Sequence, residues 1–398
     1  MDKLIIKYSN KLVSAGLCAE GEPLFGTYDD EVIWNDRRPE RESLDTVIRG
    51  LNTISVLFAN PVEPYRSIIN YLAQEALKGK GFVRPDDTET RTFLHDIPVA
   101  KSLHAGEIIK SLKKRKGVII PGRGIVTYGT VSPEQAFIFF SSICFSCYVK
   151  FMTDYYYHRK GLFRMSGDAD KIYQTAVAAY QKSLSNISDL PSIRAPFQSS
   201  EDVIAAIIET GKLTIESRMV DSFFGNISVK YGNKIFISQT GSSMDELSGC
   251  IDPCPLDNST TNAITSSSEF SAHRGVYNLT DKKTILHGHP RYSVIMSMLC
   301  DKMDCGNRGS CHLKCSSMRT IDDIPIITGE IGTGPDGISR TLPPAMSGRG
   351  AIVFGHGLFV SGREDFSDAF GNLLDIEKTC YNKYIEAVNP SPGFRDRS

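Results

Sequence analysis

The sequence predicts an α/β protein built from two tandem copies of one unit, and three observations carry that expectation. The first is an internal repeat. Gly117–Gly129 (GVIIPGRGIVTYG) lines up with Gly350–Gly362 (GAIVFGHGLFVSG) at an offset of 233 residues. The same offset pairs Ala136-Phe137 with Ala369-Phe370, Cys147-Tyr148 with Cys380-Tyr381, and Lys150 with Lys383. Upstream, Ser55–Pro61 (SVLFANP) matches Thr284–Pro290 (TILHGHP) at an offset of 229. Matches in one order at nearly constant offset point to duplication. The second observation is that each copy mixes short β-branched runs with longer runs of helical period. The third is size, since 398 residues hold two ordinary domains.

In the first copy, Lys3–Cys18 places Leu4, Ile5, Tyr8, Leu12 and Val13 at helical spacing. Tyr28–Trp34 closes a hairpin across Asp29-Asp30. Val62–Leu77 and Pro133–Tyr157 read as helices, and Gly117–Tyr128 as strand, tight turn and strand. Asp168–Leu184 is helical, with Ile172, Ala176, Ala179 and Tyr180 on one face, and Asn186–Ser200 is rich in Ser, Pro and Asn, a linker composition. In the second copy, Ser200-Glu201-Asp202 opens a helix. Asn226–Tyr231 and Lys234–Gln239 form a hairpin across Gly232-Asn233. Ser266–Val276 and Tyr292–Leu299 read as helices, and Ile324–Ile327 as a strand. Asp365–Val388 closes the copy as a helix whose buried face carries Phe366, Phe370, Leu373, Leu374 and Ile376. The polar tail Asn389–Ser398 reads as disordered.

Composition removes some classes of function. Hydrophobic residues make up 41% and charged residues 23%, a globular balance, and the formal net charge of −1 gives no basis for a nucleic-acid or membrane-surface partner. The opening Met1-Asp2-Lys3-Leu4 lacks the apolar core of a signal peptide. The most apolar run, Ala136–Phe145, is too short to span a bilayer and reads as a buried helix. Ten cysteines without such a signal suggest reduced thiols or metal ligands, and a cytoplasmic setting.

Thr284–Pro290 bears the main chemical signal. A β-branched and apolar run leads into His287-Gly288-His289. Side chains two apart on a strand share a face, so two imidazoles stand side by side with Gly288 opposite. Such a pair suits Zn²⁺ or another divalent ion, and it equally suits two surface or core histidines.

With His356 added from Gly355-His356-Gly357, the second copy resembles the class II aldolase/adducin family over about Ser199–Val388, and the first copy does so more faintly. Further pieces stand in the family's order. Phe224–Val229 (FGNISV) is similar to its Gly-Asn-(Ile/Val)-Ser strand, and Ile237–Gly241 (ISQTG) to its Ile-Thr-Pro-(Ser/Thr)-Gly segment, with Gln239 where proline is usual. Ser267-Ser268-Glu269, followed by His273, is similar to its Ser-Ser-Glu motif. The resemblance implies α/β/α domains, each with a central, largely antiparallel sheet flanked by helices. It divides the chain into a degenerate copy at 1–165, a helical linker at 166–198 and a complete copy at 199–398.

It further implies a metal site of His287, His289 and His356, with Zn²⁺ or another divalent ion stabilising an enediolate. Glu269 is then the catalytic proton-transfer residue; by position alone it is a carboxylate favoured by a helix N-terminus. Asn226, Thr240, Gly241, Ser267 and Ser268 match the family's phosphate-binding positions, and are also what turns and caps use. The implied function is a metal-dependent lyase that cleaves a small phosphorylated sugar or related hydroxy-carbonyl compound by retro-aldol chemistry. Epimerase, dehydratase and decarboxylase reactions share that logic. An adducin-like interaction module would lack the metal histidines.

The first copy departs at each of these positions. Phe58, Asn60 and Arg123 stand for His287, His289 and His356, Glu22-Pro23 for the Gly-Asn pair, and Arg37-Arg38 for Thr240-Gly241. The expectation is a copy that binds no metal and fills a neighbouring subunit's place, so that a homodimer imitates the tetrameric ring of family enzymes. Between the second copy's helix and strand lie Cys300, Cys305, Cys311 and Cys315, with His312 alongside. Four thiols this close suit a second, structural metal, and the alternatives are free or redox-active thiols. A metal sensor built on this insert is a third class of function. Cys250 and Cys254 read as small residues of a turn.

Overall fold

The computed structural model describes residues 2–184, 190, 192, 194–220, 223–330 and 334–389. The chain divides into two compact units, Met1–Lys182 and Ser183–Ser398. The tail beyond Asn389 and much of the Asn186–Ser200 stretch lie outside the described residues.

The first unit runs α1 (Asp2–Ser14), β1 (Leu24–Tyr28), β2 (Val32–Trp34), α2 (Glu40–Leu51), β3 (Ser55–Ala59), α3 (Tyr65–Leu77), β4 (Phe82–Val83), α4 (Thr88–Leu94), β5 (Ile97–Pro98), α5 (Ala105–Leu112), β6 (Gly117–Ile120), β7 (Gly124–Gly129), α6 (Pro133–Arg159) and α7 (Ala169–Leu184). Its main sheet has the order β2-β1-β3-β7-β6, antiparallel throughout, while β4 and β5 pair separately. Helices α2 and α5 cover one face and α6 the other. Helix α6 opens with Pro133 in its first turn, where a missing N–H costs nothing, and then stays apolar on nearly every side. Its 27 residues are long and apolar enough to cross a membrane, yet 83% of its most apolar window is buried within the protein. That is the buried helix expected at Ala136–Phe145, extended at both ends.

The second unit runs α8 (Ser200–Glu216), β8 (Asn226–Tyr231), β9 (Lys234–Ser238), β10 (Ile251–Pro255), α9 (Phe270–Leu279), β11 (Thr284–Gly288), α10 (Arg291–Met298), β12 (Arg319–Ile321), β13 (Ile324–Ile327), α11 (Ile338–Ala345), β14 (Gly350–Val353), β15 (Gly357–Gly362) and α12 (Phe366–Val388). Ser199 caps α8 by accepting from the Asp202 N–H, as the sequence suggests. The eight strands order as β10-β9-β8-β11-β15-β14-β13-β12, and only β13–β14 is parallel. Helices α9 and α11 line one face, α8, α10 and α12 the other. Each unit is thus a largely antiparallel sheet between helices.

Five strands of each unit share one order, since β2-β1-β3-β7-β6 reads like β9-β8-β11-β15-β14. The registers agree as well. Phe58 pairs with Val126 as His287 pairs with Phe359, and Gly117 pairs with Thr127 as Gly350 pairs with Val360. Those pairs carry the offsets 229 and 233 read from the sequence. One alignment moves by a residue: His287 pairs with Asn226 and Phe58 pairs with Leu24, so Asn226 corresponds to Leu24 rather than Pro23.

Several expected boundaries shift: the helix expected over Lys3–Cys18 ends at Ser14, and that over Val62–Leu77 begins at Tyr65. The helix expected over Ser266–Val276 begins at Phe270, because Ser267 folds back and its N–H donates to the Ser238 carbonyl at 3.0 Å. Helix α7, expected in the linker, packs on α6. Tyr155 and Tyr173 stack with ring centroids 4.1 Å apart, and Tyr155 Oη donates to Asp170 at 2.7 Å. Replacing buried Tyr173 by alanine removes that ring contact. The expected cost is about 3 kcal/mol in the urea unfolding of the full chain, appearing in the first unit's transition.

Candidate metal centre

Two turns and one strand end build the site. His287 lies near the end of β11 and His289 just beyond it, while His356 lies in the turn between β14 and β15, its N–H donating to the Val353 carbonyl at 3.1 Å. Because β11 and β15 are neighbours, with Gly288 opposite Leu358, that turn falls beside the end of β11. The three imidazole centroids form a nearly equilateral triangle of 4.8, 5.0 and 5.1 Å. Their ligand atoms lie within 4.8 Å of one another, and His287 Nε2 and His289 Nε2 are 3.0 Å apart. Two nitrogens each about 2.05 Å from one ion, at angles of roughly 90–110°, lie about 2.9–3.4 Å apart.

Space for the rings comes from glycine. A Cβ on Gly357 would lie 2.5 Å from the Gly288 carbonyl and 2.7 Å from carbons of both the His287 and His289 rings. Phe359 stacks on His287 at 3.8 Å, and Phe224 stacks on His289 at 5.6 Å. His287 Nδ1–H donates to the Leu358 carbonyl at 3.1 Å, which leaves Nε2 as the lone-pair nitrogen facing the other rings.

Burial sets the charge state. It lowers the pKa of His287 to about 3, against the opposing Leu358 carbonyl, and that of His356 to about 4, against the opposing Glu269 carboxylate. His289 is held well below its ordinary range by burial and by the other two histidines. All three are neutral donors at pH 7, the form a divalent ion needs.

Glu269 stands just before α9, fully inside. Its Oε1 is 3.4 Å from His356 Nε2 and its Oε2 is 3.7 Å from His287 Nε2. Asn226 Nδ2 donates to Glu269 Oε2 at 2.5 Å, and the Glu269 N–H donates to Ser267 Oγ at 3.3 Å. Burial raises the Glu269 pKa, while His356 and Asn226 pull it back. Among the described residues Asn226 Oδ1 is buried without a hydrogen-bond partner. The residues therefore fit a divalent ion, with three neutral imidazoles and a carboxylate beside them.

The five expected phosphate positions do not all share one environment. Asn226 and Ser267 are buried beside Glu269, whereas Thr240, Gly241 and Ser268 are exposed on the loops around them. Those loops are tied together, the Thr240 N–H donating to Thr265 O at 3.0 Å. Gly241, at φ +70°, makes the turn. The four insert thiols fare differently. Among the described residues the histidine trio is the only group of potential ligands gathered around one point, so Cys300, Cys305, Cys311 and Cys315 form no second metal cluster. The stretch is a chain of turns in which Cys311 Sγ donates to the Asn307 carbonyl at 3.4 Å. None of the ten cysteines forms a disulfide.

Sequence reasoning passed over several supporting groups. Beneath the trio, Ser228 Oγ lies 2.7 Å from both His273 Nδ1 and Tyr277 Oη, a fully buried network. It also passed over Glu40. The offset of 229 runs without a gap from Pro61 back to Glu40, which falls on Glu269, and it sets buried Leu44, Val47 and Ile48 of α2 on buried His273, Val276 and Tyr277 of α9. In the first unit Arg123 Nη2 donates to Glu40 Oε1 at 2.9 Å, so the pair repeats the Glu269–His356 contact with a guanidinium in place of imidazole.

Residues 205–384 match the family model described as Class II Aldolase and Adducin N-terminal domain, a little under half of the chain. No curated protein matches. Among solved structures, an L-fuculose-1-phosphate aldolase from Thermus thermophilus is 20% identical, with 48% of this chain and 98% of that one covered at a TM-score of 0.38. Another L-fuculose 1-phosphate aldolase is 22% identical, covering 52% and 94% at 0.39. A sugar-phosphate aldolase from Thermotoga maritima is 16% identical, covering 49% and 98% at 0.35. Likenesses this distant carry nothing about activity.

Two outcomes follow from the geometry. Between pH 6.5 and about 4 the unfolded chain takes up protons at four histidines, the trio and His273, that the metal-free folded unit does not accept. The histidine contribution to stability is thus full above about pH 6.5 and falls as pH drops; Glu269, whose pKa burial raises, works in the opposite sense. Urea midpoints of metal-free protein between pH 7 and 5 should show this, with a shallower slope in a His287→Ala/His289→Ala variant. Gly357→Ala should weaken Zn²⁺ binding by about tenfold or more, read by chelator competition.

Proposed function

Taking residues 205–384 as a domain of the class II aldolase/adducin family, we propose that the second unit is a metal-dependent lyase. It cleaves a small phosphorylated sugar, or a related hydroxy-carbonyl compound, by retro-aldol chemistry. The observation that carries this is the convergence of three buried, neutral imidazoles on a point that also faces a buried carboxylate. His287, His289 and His356 hold the ion, for which Zn²⁺ is the choice that all-nitrogen donors favour. When bound, the ion supplies Lewis acidity toward a carbonyl and its neighbouring hydroxyl.

The chain's own residues do the rest. Glu269 moves the proton to or from the carbon beside the carbonyl. Its raised pKa suits a group that must be protonated and deprotonated in one cycle. Asn226 orients that carboxylate through Nδ2 and offers Oδ1 to the substrate. The hydroxyls of Thr240, Ser267 and Ser268, with the Gly241 and Ser268 backbone N–H groups, form the anion cradle at the mouth, the Thr240 and Ser267 N–H groups being already given to carbonyls. Epimerase, dehydratase or decarboxylase chemistry would use the same residues.

The first unit is read as a duplicate that has given up this chemistry. Leu24, Leu44 and Phe58, standing for Asn226, His273 and His287, belong to one buried apolar cluster. Its role is structural, in the adducin-like sense, within a homo-oligomer in which a dimer does the work of four domains. A cytoplasmic setting agrees with ten cysteines that form no disulfide.

Elemental analysis tests the reading. Wild type is expected to carry one equivalent of divalent metal, and His287→Ala/His289→Ala none. Glu269→Gln should keep the metal and lose about 10²–10⁴-fold in turnover of a phosphorylated ketose. Wild type that takes up no ion after reconstitution with Zn²⁺ would sink the lyase.

A further inference from the structure

His289 sits in a two-residue link. β11 ends at Gly288 and α10 begins at Arg291, so only His289 and Pro290 lie between strand and helix. The place of the imidazole is therefore set by where the first turn of α10 is anchored. A helix start leaves N–H groups without intrahelical partners, and Pro290, the residue at the cap position, makes no side-chain cap. The anchor comes instead from a distant helix. Glu377, on α12 and fully buried, accepts from the Tyr292 N–H and the Ser293 N–H at 2.8 Å each, and from Ser293 Oγ at 2.8 Å. A buried carboxylate is costly unless its oxygens are filled, and here three donors and the positive end of a helix fill them.

The first unit is an internal control. The offset of 229 puts Glu63 and Pro64 at the places of Tyr292 and Ser293, and the offset of 233 puts Cys144 at the place of Glu377. Pro64 has no N–H to give, and the buried Cys144 thiol is no carboxylate. Helix α3 starts at Tyr65, three residues later than α10 does in the same frame. The donors of the Ser293 position, the acceptor and the first helical turn are missing together in the unit that lacks the histidines.

We propose that Glu377 is a positioning residue for the metal centre, clamping the first turn of α10 so that His289 is held against His287 and His356. This rests on the metal reading of the trio. It makes α12 part of what sets metal affinity.

The test uses the full chain and measures Zn²⁺ affinity by chelator competition, the absorption spectrum of the Co²⁺-loaded protein, and thermal stability without metal. Glu377→Gln keeps the shape but supplies one acceptor oxygen and no charge. It is expected to weaken Zn²⁺ binding by about 10–100-fold and to change the Co²⁺ spectrum. Phe370→Leu, a core change elsewhere on α12, should lower thermal stability alone. Should Glu377→Gln fail to fold, Ser293→Ala removes just the hydroxyl contact and is expected to weaken Zn²⁺ binding by a few-fold. If the foldable variant lowers thermal stability but binds Zn²⁺ as wild type does, with an unchanged Co²⁺ spectrum, the positioning role is overturned while the metal centre stands. If wild type itself binds neither ion, the metal reading fails, and this inference with it.

Discussion

His287, His289 and His356 can share one cation only while all three stay neutral and keep fixed separations, and the second unit meets both needs by burying them. Burial removes the option of protonation, because an imidazolium has no solvent to stabilise it. It also exposes the rings to packing forces that hold them still: Phe359 under one, Phe224 beside another, and the Leu358 carbonyl choosing the tautomer of the first. The constraint falls on the backbone. Gly357 has to be a glycine because the strand passes so close to two rings, and Gly288 because its Cβ would meet the Met219 carbonyl at 2.7 Å.

The first unit shows what the same sheet does when that demand is lifted. Its strands keep their order and register, but the positions that hold Asn226, His273 and His287 in the second unit hold leucine, leucine and phenylalanine in one core. A polar network in a closed interior offsets its desolvation only if every partner is present, whereas apolar side chains of similar size fill the volume with no such condition. A unit with no ion to bind is therefore better served by packing.

Much of this was legible in the sequence alone. The repeat, the two hairpins and the period-2 placement of His287 and His289 follow from side-chain alternation and glycine turns, both local properties. Helix α2 was passed over, although Leu44, Val47, Ile48 and Leu51 stand at helical spacing and extending the repeat upstream reaches it and exposes Glu40. Other features were not legible. Nothing within a few residues of Cys300–Cys315 says that the four thiols do not gather around one point. The attachment of α7 depends on an aromatic stack formed across a helix pair. Glu377 looks like any acidic residue on an amphipathic helix, since its three donors lie more than eighty residues away in the chain. Long-range satisfaction of a buried charge leaves no local trace.

The Glu40–Arg123 pair bears on how the two units could diverge over generations. Putting histidine at 123 strands Glu40 without its cation. Putting it at 58 opens the apolar core around Leu24 and Leu44 to an unpaired ring, and neither change alone completes a set of ligands. Each of these two steps back removes a contact that the first unit has before an ion can compensate. The loss works as a ratchet. Selection acting one substitution at a time can preserve the difference between the units far more easily than it can erase it.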